Sequence, residues 1–140
     1  MNKETINYWW MNTNPEDWRV QEHPVGYDDT EPSYRLDGKR RAVFSNFKKV
    51  RPGDLMIGYE TSPTRKVLAL YTATKGLHND PKEGECIRFR IERFVNKPLV
   101  WDDIKVHPVL RNSVMVRVNN RGSLFSLTSE EYHIIIGLVR

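Results

Sequence analysis

The chain has 140 residues, with 22 Lys and Arg against 18 Asp and Glu and a formal charge of +4, and this length suits a single domain. A mean hydropathy of −0.63 and the lack of an apolar run of about 18 residues exclude a membrane-spanning helix. The N-terminal residues lack the apolar segment of a secretory signal, and the single cysteine excludes a disulfide framework. We therefore expect one cytoplasmic domain over residues 1–140, with no membrane partner.

The first half of the chain predicts two strands, a loop and a helix. The apolar run Tyr8–Met11 is typical of a strand and ends in turn-forming residues. Residues 20–38 are interrupted by prolines and glycines, which indicates an irregular loop. Apolar side chains at three- and four-residue steps predict a helix over Gly38–Val50, and Leu55–Glu60 predicts the next strand.

The second half predicts further strands and two helices. Short apolar or alternating segments predict strands at Lys66–Thr74, Glu85–Val95, Met115–Val118 and Ser123–Leu127. Trp101–Lys105 predicts a short helix, and Thr128 with Glu131 forms the capping-box pattern that begins a helix to Leu138. This order favours a small mixed β-barrel of the α+β class, with helices covering its ends and outside.

The modest net charge hides two blocks of opposite sign. Residues 16–31 hold six acids against one base, and residues 35–51 hold seven bases against one acid. A basic stripe of this kind is typical of a protein that binds a polyanion, although a solvated helix face has the same composition. Charge alone leaves both interpretations open.

Residue patterns for catalysis and metal binding are missing from the sequence. It contains neither a phosphate-binding glycine loop nor a dinucleotide fingerprint. The histidines lack metal-ligand spacing; they are His23, His78, His107 and His133. Cys86 opens an alternating strand, where a small buried hydrophobe is expected, and Asp102 with Asp103 suits a solvated helix start. We therefore expect a binding protein with no catalytic residue, metal or cofactor.

Aromatic and amide side chains are concentrated near the N-terminus. Tyr8, Trp9, Trp10 and Trp18 surround two asparagines, and strand alternation sends Trp9 and Trp10 to opposite faces. Aromatic faces beside amides suit a pocket for an extruded nucleobase, because they supply stacking and hydrogen bonds to the base edge. Core tryptophans followed by a capping turn would explain the same residues.

Four segments of the chain resemble EVE domains, members of the PUA-like superfamily related to the YTH readers of N6-methyladenine. In order and spacing they are YWWMNTNPEDW (8–18), GKRR (38–41), KVRPGDLMIGYE (49–60) and RGSLFSLT (121–128). The segments containing GYE and GSLF are similar to EVE domains at the N-terminus of McrB-type restriction GTPases.

The resemblance implies a pseudo-barrel with a pocket for a modified base flipped out of nucleic acid. It implies that Asn12, Thr13 and Asn14 line the base and that Tyr34 is one wall of an aromatic cage. Further pocket candidates are Tyr59, Ser62, Ser123 and, as wall or core, Trp10. The bases expected to contact phosphates are Lys39, Arg40, Arg41, Lys48, Lys49 and Arg51.

The function expected from the sequence is a non-enzymatic reader of a modified base in DNA, serving restriction. The alternatives are an RNA-binding PUA-like module and a protein with a pocket for a small molecule. The expected partners are modified DNA or RNA, together with a GTPase motor domain or a restriction complex.

Overall fold

A computed structural model describes residues 5–35, 37–41 and 44–140 of the chain. The strands are β1 (Tyr8–Thr13), β2 (Asp28–Pro32), β3 (Leu55–Glu60), β4 (Lys66–Asp80), β5 (Gly84–Val100) and β6 (Leu124–Leu127). The α-helices are α1 (Phe44–Phe47), α2 (Trp101–Val106), α3 (Val114–Arg117) and α4 (Ser129–Val139). Two 3₁₀ helices span Val20–Glu22 and Leu110–Asn112.

The strands form one mixed sheet in the order β2-β5-β4-β3-β1-β6. β1 and β3 are parallel, and every other neighbouring pair is antiparallel. The fold is therefore α+β, as predicted. Within the described ranges no ladder joins the edge strands β2 and β6, so the sheet is open and the predicted barrel is not confirmed.

Each face of the sheet carries its own hydrophobic cluster. Trp10 is buried with Ile135 and Val139 of α4 on one face, and Trp9 is buried with Phe47 and Phe89 on the other. This separation confirms the prediction that alternation sends the two adjacent tryptophans to opposite faces. Burial of such large side chains is the main contribution to the stability of both layers.

The helix predicted over Gly38–Val50 is largely absent from the described residues. Only Phe44–Phe47 is α-helical, and Ala42 and Val43 lie outside the described residues. Gly38 has a φ of +84°, and Arg40 forms an isolated antiparallel bridge with Tyr34. The chain therefore turns back on itself where the apolar spacing indicated a helix, because the left-handed glycine favours a turn.

Two other predictions are wrong. The loop predicted over residues 20–38 contains β2, a half-buried edge strand rich in acids, which local apolar patterning could not reveal. The strand predicted over Met115–Val118 is α3, which Val114 begins. β-Branched side chains gave this short segment a strand-like sequence. Its backbone instead forms helical bonds, from the Arg117 N–H to the Ser113 carbonyl and from the Val118 N–H to the Val114 carbonyl, each at 3.1 Å.

The C-terminal helix confirms the capping-box prediction. The Glu131 backbone N–H donates to Thr128 Oγ1 at 3.0 Å, and the Thr128 N–H donates to Glu131 Oε1 at 2.9 Å. These bonds satisfy orphan donors where α4 begins. No helix in the described part of the chain is long and apolar enough to cross a membrane.

Candidate functional site

A cavity of about 680 Å³ lies between the two edges of the sheet. β2 contributes residues 29–32, and the end of β1 contributes Asn12 and Thr13 from the opposite half of the sheet. The turn after β1 and residues 122–123 before β6 extend the wall. Because strands from both halves of the sheet line one cavity, the open sheet must curve around it.

Aromatic rings form one side of this cavity. Trp18 and Phe89 meet edge to face, with ring centroids 5.7 Å apart at an interplanar angle of 82°. Trp18 Nε1 donates to Asp29 Oδ2 at 2.9 Å, which holds the indole in place. Tyr34 also lines the cavity and is 38% exposed, so its ring can meet a ligand from the solvent side. His23 stacks on the Trp18 indole, with ring centroids 5.0 Å apart at an interplanar angle of 16°, so a flat ligand can stack on the ring surface that Trp18 and Tyr34 leave open to the cavity.

The cavity is acidic, although the chain as a whole is basic. Its carboxylates belong to Glu16, Asp17, Asp29, Glu31 and Glu83. Arg41 is the one base among the described lining residues, and its Nη2 lies 3.3 Å from Glu31 Oε1. Arg41 Nε also donates to the Pro32 carbonyl at 2.8 Å, so the guanidinium is anchored beside β2.

Glu31 is the carboxyl group most affected by this environment. Burial raises the pKa of Glu31 from 4.5 to about 7; Arg41 opposes the rise, and Asp29 and Asp17 add to it. Near neutral pH, such a carboxyl group exists in both forms. The ionised form only accepts hydrogen bonds, whereas the protonated form also donates one.

Ser123 supplies an unused polar group to the same cavity. The residue is 5% exposed, and its Oγ has no hydrogen-bond partner among the described residues. Its carbonyl accepts from the Asn12 backbone N–H at 2.9 Å, which places the residue beside β1. A buried hydroxyl left unpaired costs free energy, so a ligand that bonds to Oγ would recover that cost.

The three residues expected to line a base are placed differently from one another. Asn12 is buried, and its amide is engaged by protein groups. Thr13 is also buried, with Oγ1 3.5 Å from the Tyr59 carbonyl. Asn14 is exposed, and its Oδ1 accepts from the Glu16 N–H at 2.9 Å. All three line the cavity.

Three other predicted pocket residues are not brought to this cavity. Trp10 and Tyr59 stack at 4.9 Å in the core on the other side of β1, where Trp101 packs against both. Ser62 lies exposed in the turn after β3. Of the predicted set, the cavity therefore brings together Asn12, Thr13, Asn14, Tyr34 and Ser123.

The predicted basic stripe is divided into two groups. Lys39 and Arg40 are exposed near the cavity, with Arg40 Nη2 3.6 Å from Glu85 Oε2 and its guanidinium 4.0 Å from the Phe44 ring centroid. Lys48, Lys49 and Arg51 line a separate open groove of about 820 Å³ beside the start of β1. Arg41, predicted as a phosphate contact, lines the cavity itself.

Sequence reasoning missed Asp29, Glu31 and Phe89 as cavity residues. The signal for the two acids was the acidic block at residues 16–31, which also contains Trp18. Phe89 lies in the strand predicted over Glu85–Val95, but no local pattern indicates that its side chain reaches the cavity beside β2. Within the described ranges, no group of three or more His, Cys, Asp or Glu is arranged to hold a metal ion.

Comparison with known proteins identifies the fold. A Pseudomonas putida protein shares 15% sequence identity at a TM-score of 0.78, with 95% of this chain and 99% of that chain covered. Atu2648 from Agrobacterium tumefaciens shares 20% identity at a TM-score of 0.72, with 92% and 90% covered. Human THYN1, crystallised in complex with DNA containing 5-methylcytosine, shares 15% identity at a TM-score of 0.71, with 96% and 98% covered.

Similarity at these identities establishes the fold alone. No curated protein matches the chain. The model of the EVE domain family matches residues 7–138, which is nearly the whole chain. The chain belongs to the EVE domain family.

Proposed function

We propose that this domain binds nucleic acid and reads a modified base that leaves the duplex and enters the cavity between the sheet edges. The observation that carries this proposal is the pairing of an aromatic wall, Trp18 and Phe89, with the polar groups of Glu31 and Ser123 in one cavity. The cavity volume is within the range of about 300–1,000 Å³ found for small-ligand sites. The human relative in complex with 5-methylcytosine DNA supports the choice of ligand.

The chemistry of the lining suits a base better than a phosphate. Stacking of a base on an aromatic ring contributes about 1–3 kcal/mol, and a methyl group on the base adds about 0.8 kcal/mol when it is buried. The carboxylates around the cavity repel a phosphate, whereas Lys39 and Arg40 are exposed outside it. The base therefore enters while the sugar-phosphate backbone stays at the basic surface.

Most of the remaining predictions rest on the resemblance of the sequence to EVE domains, including those of McrB-type restriction GTPases. A preference for DNA over RNA, a role in restriction, and a GTPase motor or restriction complex as partner are part of the proposal on that basis. A cytoplasmic location is part of it on the basis of composition and the single cysteine. The acidic lining is an argument against the alternative of a small anionic ligand, since its carboxylates would oppose such a molecule.

The proposal is tested by fluorescence anisotropy with matched duplexes that carry one 5-methylcytosine, 5-hydroxymethylcytosine, N6-methyladenine or no modification, and with the same sequence as RNA. We expect one modified duplex to bind more tightly than the unmodified duplex. Trp18→Ala should remove this preference, and Trp18→Phe should retain most of it. Tyr27→Ala is the matched control, because the Tyr27 ring stacks on His23 at 4.3 Å and His23 stacks on Trp18, but Tyr27 itself does not line the cavity.

Equal affinity for every duplex and for RNA would contradict the reader function. Full preference in a folded Trp18→Ala protein would instead exclude this cavity as the reading site.

A further inference from the structure

The position of Glu31 in the cavity gives it a more specific role, which rests on the proposed function. We propose that Glu31 reads the Watson–Crick edge of the inserted base by donating a hydrogen bond to an unprotonated ring nitrogen and accepting one from the adjacent amino group. Cytosine-type and adenine-type bases present this edge. The assignment makes Glu31 the residue that sets base class, separate from the aromatic rings that set stacking.

The contact with Arg41 orients the carboxyl group for this task. Arg41 Nη2 lies 3.3 Å from Glu31 Oε1, so a proton on the carboxyl group is favoured on the other oxygen, Oε2. Oε1 retains a second lone pair that can accept from the amino group of a base. The basic ring nitrogen of cytosine or adenine is a better acceptor for an acid proton than the carbonyl oxygens of thymine or guanine.

Burial is the main reason that Glu31 favours the neutral acid that this geometry requires. Asp29 on the same strand and Asp17 in the turn after β1 raise the pKa of Glu31, and Arg41 lowers it. Burial raises the pKa of Tyr71 on β4, and the nearby charge of Glu31 adds to that rise. Burial has the largest effect and raises the pKa of Glu31 to about 7, so the neutral acid is available near neutral pH.

Ser123 provides an independent sign that the cavity takes a polar ligand. The residue is only 5% exposed, and Oγ lacks a partner among the residues described. A hydroxyl can donate a hydrogen bond to a polar atom of a ligand that enters the cavity. Two polar groups on one flat ligand, with Trp18 against its face, would define its orientation.

The experiment measures the affinity of the full chain for a duplex with one 5-methylcytosine and for a matched duplex with thymine at that position, at about pH 6 and about pH 8.5. Thymine carries the same methyl group, but it presents a protonated ring nitrogen and a carbonyl on the edge that Glu31 reads. We expect the preference for the 5-methylcytosine duplex to fall about tenfold at the higher pH, because an ionised Glu31 cannot donate. Glu31→Gln should keep the preference at both pH values, since its amide both donates and accepts. Glu31→Ala should lose it at both.

Glu83→Gln is the matched control, because Glu83 is an exposed carboxylate on the same cavity, and it should behave like the unchanged chain. A pH-dependent preference that persists in Glu31→Gln would overturn the assignment, as would full preference in a folded Glu31→Ala protein. In both cases the reader function stands. Failure of the unchanged chain to distinguish any modified duplex at either pH would overturn the assignment together with the proposed function.

Discussion

Asn12 and Asn120 hydrogen-bond to each other in both directions through their side-chain amides. Asn12 Nδ2 donates to Asn120 Oδ1 at 2.9 Å, and Asn120 Nδ2 donates to Asn12 Oδ1 at 3.1 Å. Trp10 Nε1 donates to both amide oxygens, and Asn12 Nδ2 also reaches the Gly122 carbonyl at 2.7 Å. The pair ties β1 to the turn before β6, so Asn12 holds the wall of the cavity in place.

Asn12→Ala should therefore destabilise the fold. The change removes the partners of the Gly122 carbonyl and of Asn120 Nδ2 at a part-buried site, while Trp10 Nε1 keeps its bond to Asn120 Oδ1. We expect this loss to cost about 2–3 kcal/mol. The free energy of unfolding in urea measures this cost. Asn14→Ala is the control: it removes only the exposed bond to the Glu16 N–H and should cost at most about 1 kcal/mol. Equal losses in the two variants would contradict the structural role of Asn12.

Gly58 allows the close approach of Tyr71 in the core. A Cβ at position 58 would lie 2.5 Å from Tyr71 Cζ, and Tyr71 is 1% exposed, so its ring has little room to move. Gly58→Ala should destabilise the chain by about 3 kcal/mol or more, measured as the free energy of unfolding. Gly137→Ala places its methyl in open space on α4 and should stabilise the chain by up to about 1 kcal/mol. A neutral Gly58→Ala would contradict this packing.

Glu31 should couple the stability of the fold to pH. Its pKa is raised from 4.5 to about 7, so between these values the folded chain retains a proton that the unfolded chain has released. Stability should therefore fall as pH rises through this window, by roughly 3 kcal/mol in total, and show no further change from this group above or below it. Urea unfolding of the unchanged chain and of Glu31→Gln at several pH values isolates the effect. If the free energies of unfolding of these two proteins differ by the same amount at every pH, the raised pKa of Glu31 is contradicted.

The two basic groups should strengthen binding without regard to base identity. Reversing the charge of Lys48 and Lys49, or of Lys39 and Arg40, should weaken binding of modified and unmodified duplexes equally. The slope of log affinity against log salt should fall by about 0.9 for each phosphate that the variant no longer neutralises. Lys97→Glu is the control, because Lys97 is exposed on β5 and lines neither the cavity nor the groove. A charge reversal that changes only the preference for the modified duplex would contradict this division of roles.

Local sequence patterns predicted the elements whose burial is regular. β3 has the predicted bounds, and the capping box at Thr128 places the start of α4. The edge strand β2 was not predicted, because its half-buried side chains are mostly polar and its pairing with β5 depends on residues distant in the sequence. The turn at Gly38 was not predicted, because the spacing of nearby apolar residues matches the period of a helix and therefore indicated a helix there.

Part of the candidate site was predicted as well, because it follows a segment with a regular local pattern. Asn12, Thr13 and Asn14 follow the end of a recognisable strand, so their neighbourhood could be anticipated. The partner of Asn12 is 108 residues away, and no local pattern joins it to Asn120. Glu31 likewise becomes a cavity residue only when β2 pairs with β5 and the sheet curves.

The most direct test of the reading site is NMR on a duplex that carries one 5-methylcytosine with a ¹³C-labelled methyl group. Entry of the base into the cavity predicts NOEs from this methyl to ring protons of Trp18 or Phe89. The ring currents should also shift its resonance away from the free-duplex position. A bound duplex whose methyl resonance stays at its free position, with no NOE to either ring, would contradict the account.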